Sequence, residues 1–221
     1  MSDKDRPLYQ LCVAVLAVVC LVAPALTLDA QENLEPVDPE TVVFIPPEIG
    51  APRDRIGAGT RGIESTTEII QLLIPQEGGL TTSDKPPIIW QVKTDFTGTM
   101  ISEIAPYKGG DGVMLERQGL FQAGYYALDL GRSEYQLKPG TVYSVSVVLV
   151  KAGSDADPAR AEGLVERVPT TSKSHDTYTA ARAGLWFDAI APLVRVDFSG
   201  RAMISNEALL VALAQSAGIP Q

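Results

Sequence analysis

Cysteine and histidine are almost absent from this 221-residue chain, which has two Cys and one His, with aromatic residues at 6% and Lys+Arg at 18 against Asp+Glu at 27. Both cysteines, Cys12 and Cys20, fall within the first 30 residues, so residues 31–221 can form no disulfide and depend on a packed core. A single histidine, His175, leaves His-based metal sites and nucleophile–histidine relays short of ligands and bases. The formal net charge of −9 removes the basic footprint on which phosphate-backbone binding depends, which argues against nucleic acid as a partner. What remains is a globular composition, 45% hydrophobic and 20% charged with 19 Gly and 16 Pro.

The one long apolar run, Leu11–Val22, has 12 residues, follows Lys4 and Arg6, and ends before Pro24. A membrane-spanning helix needs about 20 apolar residues, so the run reads as the hydrophobic region of a secretory signal over residues 1–30. Cleavage is expected after Ala30, with Ala25 as the alternative, and Val18-Val19 before Cys20 argue against lipidation. The competing reading is an uncleaved anchor from Leu8 to Leu28, which tolerates Tyr9, Gln10, Pro24 and Thr27. Either way residues 31–221 are expected outside the cytoplasm, periplasmic or secreted, and the membrane is met only through the N-terminal segment if it is uncleaved.

Residues 31–62 hold five prolines and four glycines and read as an extended linker, with Thr41–Ile45 as a β-prone piece able to add to a sheet edge. Seven short β-rich segments follow within residues 63–170: Glu68–Ile74, Ile88–Lys93, Thr99–Ala105, Val113–Arg117, Ala123–Leu130, Thr141–Val150 and Ala161–Val168. Alternation puts Ile88, Trp90 and Val92 on one face, Tyr126, Leu128 and Leu130 on another, and Tyr143, Val145, Val147 and Leu149 on a third. Thr99–Ala105 and Ala161–Val168 alternate poorly, as edge strands or strands covered on both sides do, and their faces stay unassigned. Strands of this length and spacing suggest a β-sandwich.

Residues 171–221 change character. A polar loop, Thr170–Asp176, precedes an amphipathic helix expected over Thr177–Val196, bent at Pro192. A second helix is expected over Asn206–Ala217, with Ser205 as N-cap and Gly218 and Pro220 as stops. Their apolar faces require the pair to pack on the sandwich or on a partner.

Two resemblances sharpen this picture. Leu137-Lys138-Pro139-Gly140-Thr141-Val142-Tyr143-Ser144-Val145 resembles the corner before the penultimate strand of fibronectin type III modules, and Trp90 stands where such modules keep a buried Trp. The likeness covers about residues 78–170 and implies a Leu plug, a Pro-Gly turn and a tyrosine corner. The whole ordered series, from GAPRDRIGAGTRG through LLIPQEGGLTTSDKPPIIWQVK to AGLWFDAIAPL and ALLVALAQSAGI, resembles the uncharacterised bacterial family called domain of unknown function 928 over about residues 46–219. Here Ile88 and Ile89 replace the aromatic pair usual beside the Trp90 position. That family implies an exported protein and carries no established activity. The fold class expected is therefore mainly β: an immunoglobulin/fibronectin-III-like antiparallel β-sandwich followed by two C-terminal α-helices.

Motifs that carry chemistry elsewhere fail here on context. Gly57-Ala58-Gly59-Thr60-Arg61-Gly62 spells G-x-G-x-x-G, yet prolines precede it and no helix follows, so it reads as a fixed turn rather than a dinucleotide site. Ser174-His175-Asp176 are adjacent, so their side chains diverge and cannot form a relay. Asp155, Asp157 and Glu162 lack the spacing of a calcium loop. Trp186, Phe187 and Asp188 read first as core contacts and a local hydrogen bond, with a docking surface as the functional alternative. Arg53, Arg55 and Arg61 are the possible anion or partner contacts, set against self-pairing with Asp54, Glu64 and Glu68. No catalytic residue, cofactor or metal ligand is assigned, and an enzyme is the less favoured reading. The expectation is an exported envelope protein acting as a non-enzymatic interaction or accessory module on an unknown envelope protein. The alternative is a periplasmic ligand-binding protein or enzyme with a carboxylate/arginine pocket, built on Asp188 and those arginines.

Overall fold

The computed structural model describes residues 42–47, 69–154, 156–169 and 176–220, all within one compact unit, Asp38–Gln221. Eight strands come first: β1 (Ile70–Leu72), β2 (Gly79–Thr81), β3 (Pro87–Val92), β4 (Phe96–Pro106), β5 (Val113–Phe121), β6 (Gly124–Asp129), β7 (Thr141–Lys151) and β8 (Ala159–Arg167). They form a three-stranded sheet in the order β1-β3-β6 and a five-stranded sheet in the order β2-β8-β7-β4-β5. Every pairing is antiparallel except β2 with β8. This is an antiparallel β-sandwich of the immunoglobulin/fibronectin-III-like kind.

All seven expected segments contain a strand. The eighth, β2, is a three-residue strand whose Gly-Leu-Thr carries no alternation to read. The poorly alternating β4 and β8 are not edges: β4 lies between β5 and β7, and β8 between β7 and β2. Met100, Ser102 and Ile104 of β4 point inward, and the Ser102 hydroxyl lies 3.5 Å from the Leu115 carbonyl, which breaks the apolar pattern without leaving the hydroxyl unsatisfied.

The core follows the side-chain period. Ile88, Trp90 and Val92 meet Tyr143, Val145, Val147 and Leu149 in one buried cluster. Ile89 and its cross-strand partner Ala127 are buried as well, so the three-stranded sheet is covered on both faces. The corner behaves as the resemblance implies: Leu137 is buried, Gly140 takes the left-handed conformation at φ 70°, and the Tyr143 hydroxyl accepts from the Lys138 N–H at 2.6 Å.

The C-terminal part departs from expectation. In place of one bent helix over Thr177–Val196 there are α1 (Thr177–Arg182), α2 (Trp186–Ile190) and a single 3-10 turn, Ala191–Leu193. A β-hairpin of β9 (Val194–Val196) and β10 (Ala202–Ile204) follows. Gly184 makes the break: its φ is +72°, and a Cβ there would lie 2.9 Å from Pro47 Cδ. Pro192 then removes a helical N–H, and the β-branched Val194 and Val196 favour a strand. α3 (Glu207–Ser216) is the second expected helix, but Asn206 rather than Ser205 caps it, accepting from the Leu209 N–H at 3.0 Å. Ser205 instead donates to the Leu193 carbonyl.

Residues 42–47 add to no sheet edge. Val42 and Phe44 are buried, the Phe44 N–H donates to Ser216 Oγ at 3.0 Å, the Ile45 N–H donates to the Ala181 carbonyl at 3.1 Å, and the Phe44 ring meets Trp186 edge-on at 5.4 Å. Part of the stretch that reads as a linker is thus packed on the helices, because its apolar residues find a dry face there. Among the described residues, no helix is long and apolar enough to cross a membrane.

Candidate functional site

Three places gather side chains in ways worth chemical scrutiny. The first is the W-F-D-A-I helix, α2. Trp186 Nε1 donates to the Leu73 carbonyl at 2.8 Å, and the Phe187 ring packs so closely on Gly79 that a Cβ there would sit 2.6 Å from Phe187 Cε2. Asp188 Oδ2 accepts from the Thr81 hydroxyl at 2.8 Å and from the Thr82 N–H at 2.9 Å, and Oδ1 accepts from the Thr82 hydroxyl. Both carboxylate oxygens therefore hold α2 against β2. Such charge-assisted bonds fix geometry strongly, and they commit three of the carboxylate's acceptor positions to holding α2.

The second is a cleft of about 180 Å³ where Phe44, Pro46, Pro75, Leu80 and Leu164 form apolar walls around Glu77 and Glu166. Burial pushes the Glu166 carboxyl above the ordinary value. Among the described residues the lining holds two carboxylates and no cation.

The third is the turn between β9 and β10, Asp197-Phe198-Ser199-Gly200-Arg201. Asp197 Oδ1 accepts from the Ser199 N–H, the Ser199 hydroxyl and the Arg201 N–H, and the Ser199 hydroxyl above all holds that carboxyl below its usual range. The turn is tied to β6, whose Ala127 N–H donates to the Gly200 carbonyl at 2.9 Å. Arg132 donates to the Val196 and Asp197 carbonyls and pairs with Asp129 at 3.1 Å. Its guanidinium lies 4.6 Å from the centre of the Phe198 ring, which is 96% exposed. Arg201 donates to Gln122 Oε1 and the Ala123 carbonyl.

Arg117 differs from its neighbours. It points inward from β5, half-buried, with its guanidinium against Gly200, where an added Cβ would overlap it. Among the described residues its side chain makes neither a hydrogen bond nor an ion pair. Burial lowers its affinity for the proton, Asp197 opposes that shift and Arg132 adds to it; an arginine stays charged regardless.

Several sequence candidates take other places. Arg53, Arg55 and Arg61, the cleavage positions Ala30 and Ala25, Gly57–Gly62, Ser174, His175 and Asp155 lie outside the described residues. Asp176 caps α1, accepting from the Thr179 N–H at 2.8 Å, and this bond lowers its carboxyl below the ordinary value. Glu162 pairs with Arg160 at 2.5 Å on the surface. Among the described residues, no group of three or more His, Cys, Asp or Glu is placed to hold a metal. Sequence reasoning missed Arg117, Arg132, Arg201, Phe198 and Glu166. A Gly-containing turn between Val194–Val196 and Ala202–Ile204 was the available signal for the hairpin.

The ordered motifs, the W-F-D-A-I helix and the sandwich now stand together, and the model of the family described as Domain of Unknown Function (DUF928) matches residues 56–220. The chain belongs to the DUF928 family. A weaker similarity links this DUF928 protein to the solution structure of the fn3 domain of human collagen alpha-1(XX) chain, at 14% identity and TM-score 0.30, covering 48% of this chain and 83% of that one. No curated protein matches it.

Proposed function

We propose that this DUF928 protein is an exported envelope protein that acts without catalysis, as an interaction or accessory module for another envelope protein. The observation that carries the reading is the Phe198 ring, 96% exposed on a hairpin turn and stacked by Arg132. Aromatic and arginine side chains are the groups most enriched at the energetic centres of protein interfaces, and here the two are held together on one exposed turn. Asp188 supports the same reading, since the carboxylate required by a carboxylate/arginine pocket already serves to fasten α2. Export rests on the charged and apolar leader, residues 1–30.

The test is affinity capture from the native envelope with wild-type protein and with Phe198→Ser as bait. Proteins recovered by the first and lost by the second support the module. Recovery of identical sets with both baits overturns it.

A second reading has its own observation. The cleft beside β2 brings Glu77 and the desolvated Glu166 carboxylate to apolar walls, a geometry that suits a small ligand carrying a cation on an apolar body. Calorimetric titration with butylammonium and with butanol decides it: the cation should bind measurably and the alcohol should not.

A further inference from the structure

We propose that β5 accepts an extended acidic segment of a partner protein as an added strand, with a carboxylate of that segment accepting from the Arg117 guanidinium. The inference rests on the interaction-module reading and gives the partner its chemistry. Among the described residues β5 is the long open edge of the sandwich: it spans nine residues and pairs there with β4 alone. The other edges differ. β1 and β2 have three residues each, and the free side of β6 is met by the hairpin through the Tyr126–Arg201 bridge and the Ala127–Gly200 bond. An uncovered strand of this length presents a row of backbone donors and acceptors ready for another chain.

Arg117 supplies the specificity. Residues directly opposite on paired strands share a face, so the residue facing Arg117 on an added strand also points inward, toward the Asp197–Arg201 turn. Of the three arginines touching that turn, Arg132 and Arg201 already donate to Val196, Asp197, Gln122 and Ala123. Arg117 alone keeps its donors unassigned among the described residues. The aspartate of the turn, Asp197, is engaged by Ser199 and Arg201 on one oxygen and forms no ion pair with Arg117. A half-buried guanidinium behind a strand edge is reached by a side chain that projects inward, whereas a planar lipid surface meets only protruding charges. A second copy fits poorly. The two-fold register that sets Met114 against Leu120 also sets Arg117 against itself, and like charges directly opposite are destabilising.

The probe is a seven-residue peptide of alternating threonine and valine with glutamate in place of the central valine, compared with its central-glutamine counterpart. Binding is read by deuterium exchange of residues 113–121 in the full chain. The glutamate peptide is expected to protect them with about tenfold higher affinity, a preference that vanishes in Arg117→Gln. Equal binding of the two peptides, or binding of neither, overturns the proposal. If Arg117→Gln does not fold, the comparison of the two peptides on wild-type protein decides alone. Arg117-dependent binding to phosphatidylglycerol vesicles assigns the surface to a membrane and overturns the proposal, as does Arg117-dependent self-association. Phe198-dependent capture without a glutamate preference leaves the module standing and removes the edge site. The opposite pair of results removes the capture-based reading and keeps the site.

Discussion

Asp188 on α2 and Thr82 just beyond β2 are joined twice, through the Thr82 N–H at 2.9 Å and through the Thr82 hydroxyl. They stand 106 residues apart in the chain, so the contact closes the C-terminal part onto the first strands of the sandwich. Replacing Asp188 with Ala leaves the Thr81 hydroxyl and both Thr82 donors without their acceptor, an expected loss of about 2–4 kcal/mol in urea unfolding. Asp188→Asn, which keeps one acceptor oxygen, is expected to lose about half of that. Unchanged stability in both variants would show that the bonds fasten nothing.

Gly200 tests the hairpin separately from the sandwich. Its φ is +79° and the Arg117 guanidinium lies where a Cβ would go, so Gly200→Ala combines backbone strain of about 1–2 kcal/mol with displacement of Arg117. Hydrogen exchange should speed up across residues 194–204 while β7 keeps its protection. Equal loss of protection in β7 would place the hairpin inside the cooperative core.

Two carboxylates should move stability with pH in opposite directions. The carboxyl of Asp197 is lowered by its hydrogen bonds, so its contribution is present above the unfolded value of about 3.9 and is lost as pH falls through the lower folded one. Asp197→Asn should therefore be less stable than wild type at neutral pH, with the difference closing in acid. Glu166 is raised by burial, so the folded state holds its proton more tightly. That contribution is complete below about pH 4.3 and is lost as pH rises through the folded value. Glu166→Gln should be the more stable protein at neutral pH and match wild type near pH 4. Denaturation midpoints at several pH values read both signs.

The leader proposed for residues 1–30 makes its own prediction. N-terminal sequencing of protein recovered from an exported fraction should begin at Gln31, or at Leu26 if cleavage follows Ala25. An intact Met1 there would make the segment an anchor.

The sandwich was legible because its signals are local. Pro139-Gly140 with Tyr143 marks a corner, and the alternation through Ile88, Trp90 and Val92 marks a buried face. The C-terminal break was hidden because the stripe formed by Leu185, Trp186, Ala189 and Ile190 keeps helical spacing, while the close approach of Pro47 to Gly184 comes from a residue distant in sequence. Asp188 shows the same limit. Its residue type fits either a site or a fastening, and only the approach of Thr81 and Thr82 decides between them. Arg117 looked ordinary because a solvated arginine and one stranded at a sheet edge read alike in a sequence.

The most direct test of the interaction reading is a deuterium-exchange footprint of the protein with its captured envelope partner bound. Protection is expected to rise over residues 113–121 and 194–204, the edge strand and the Phe198 hairpin, and to stay unchanged over residues 75–80 beside the cleft. Protection confined to residues 75–80 and 164–166 would contradict it and move the functional site to the cleft.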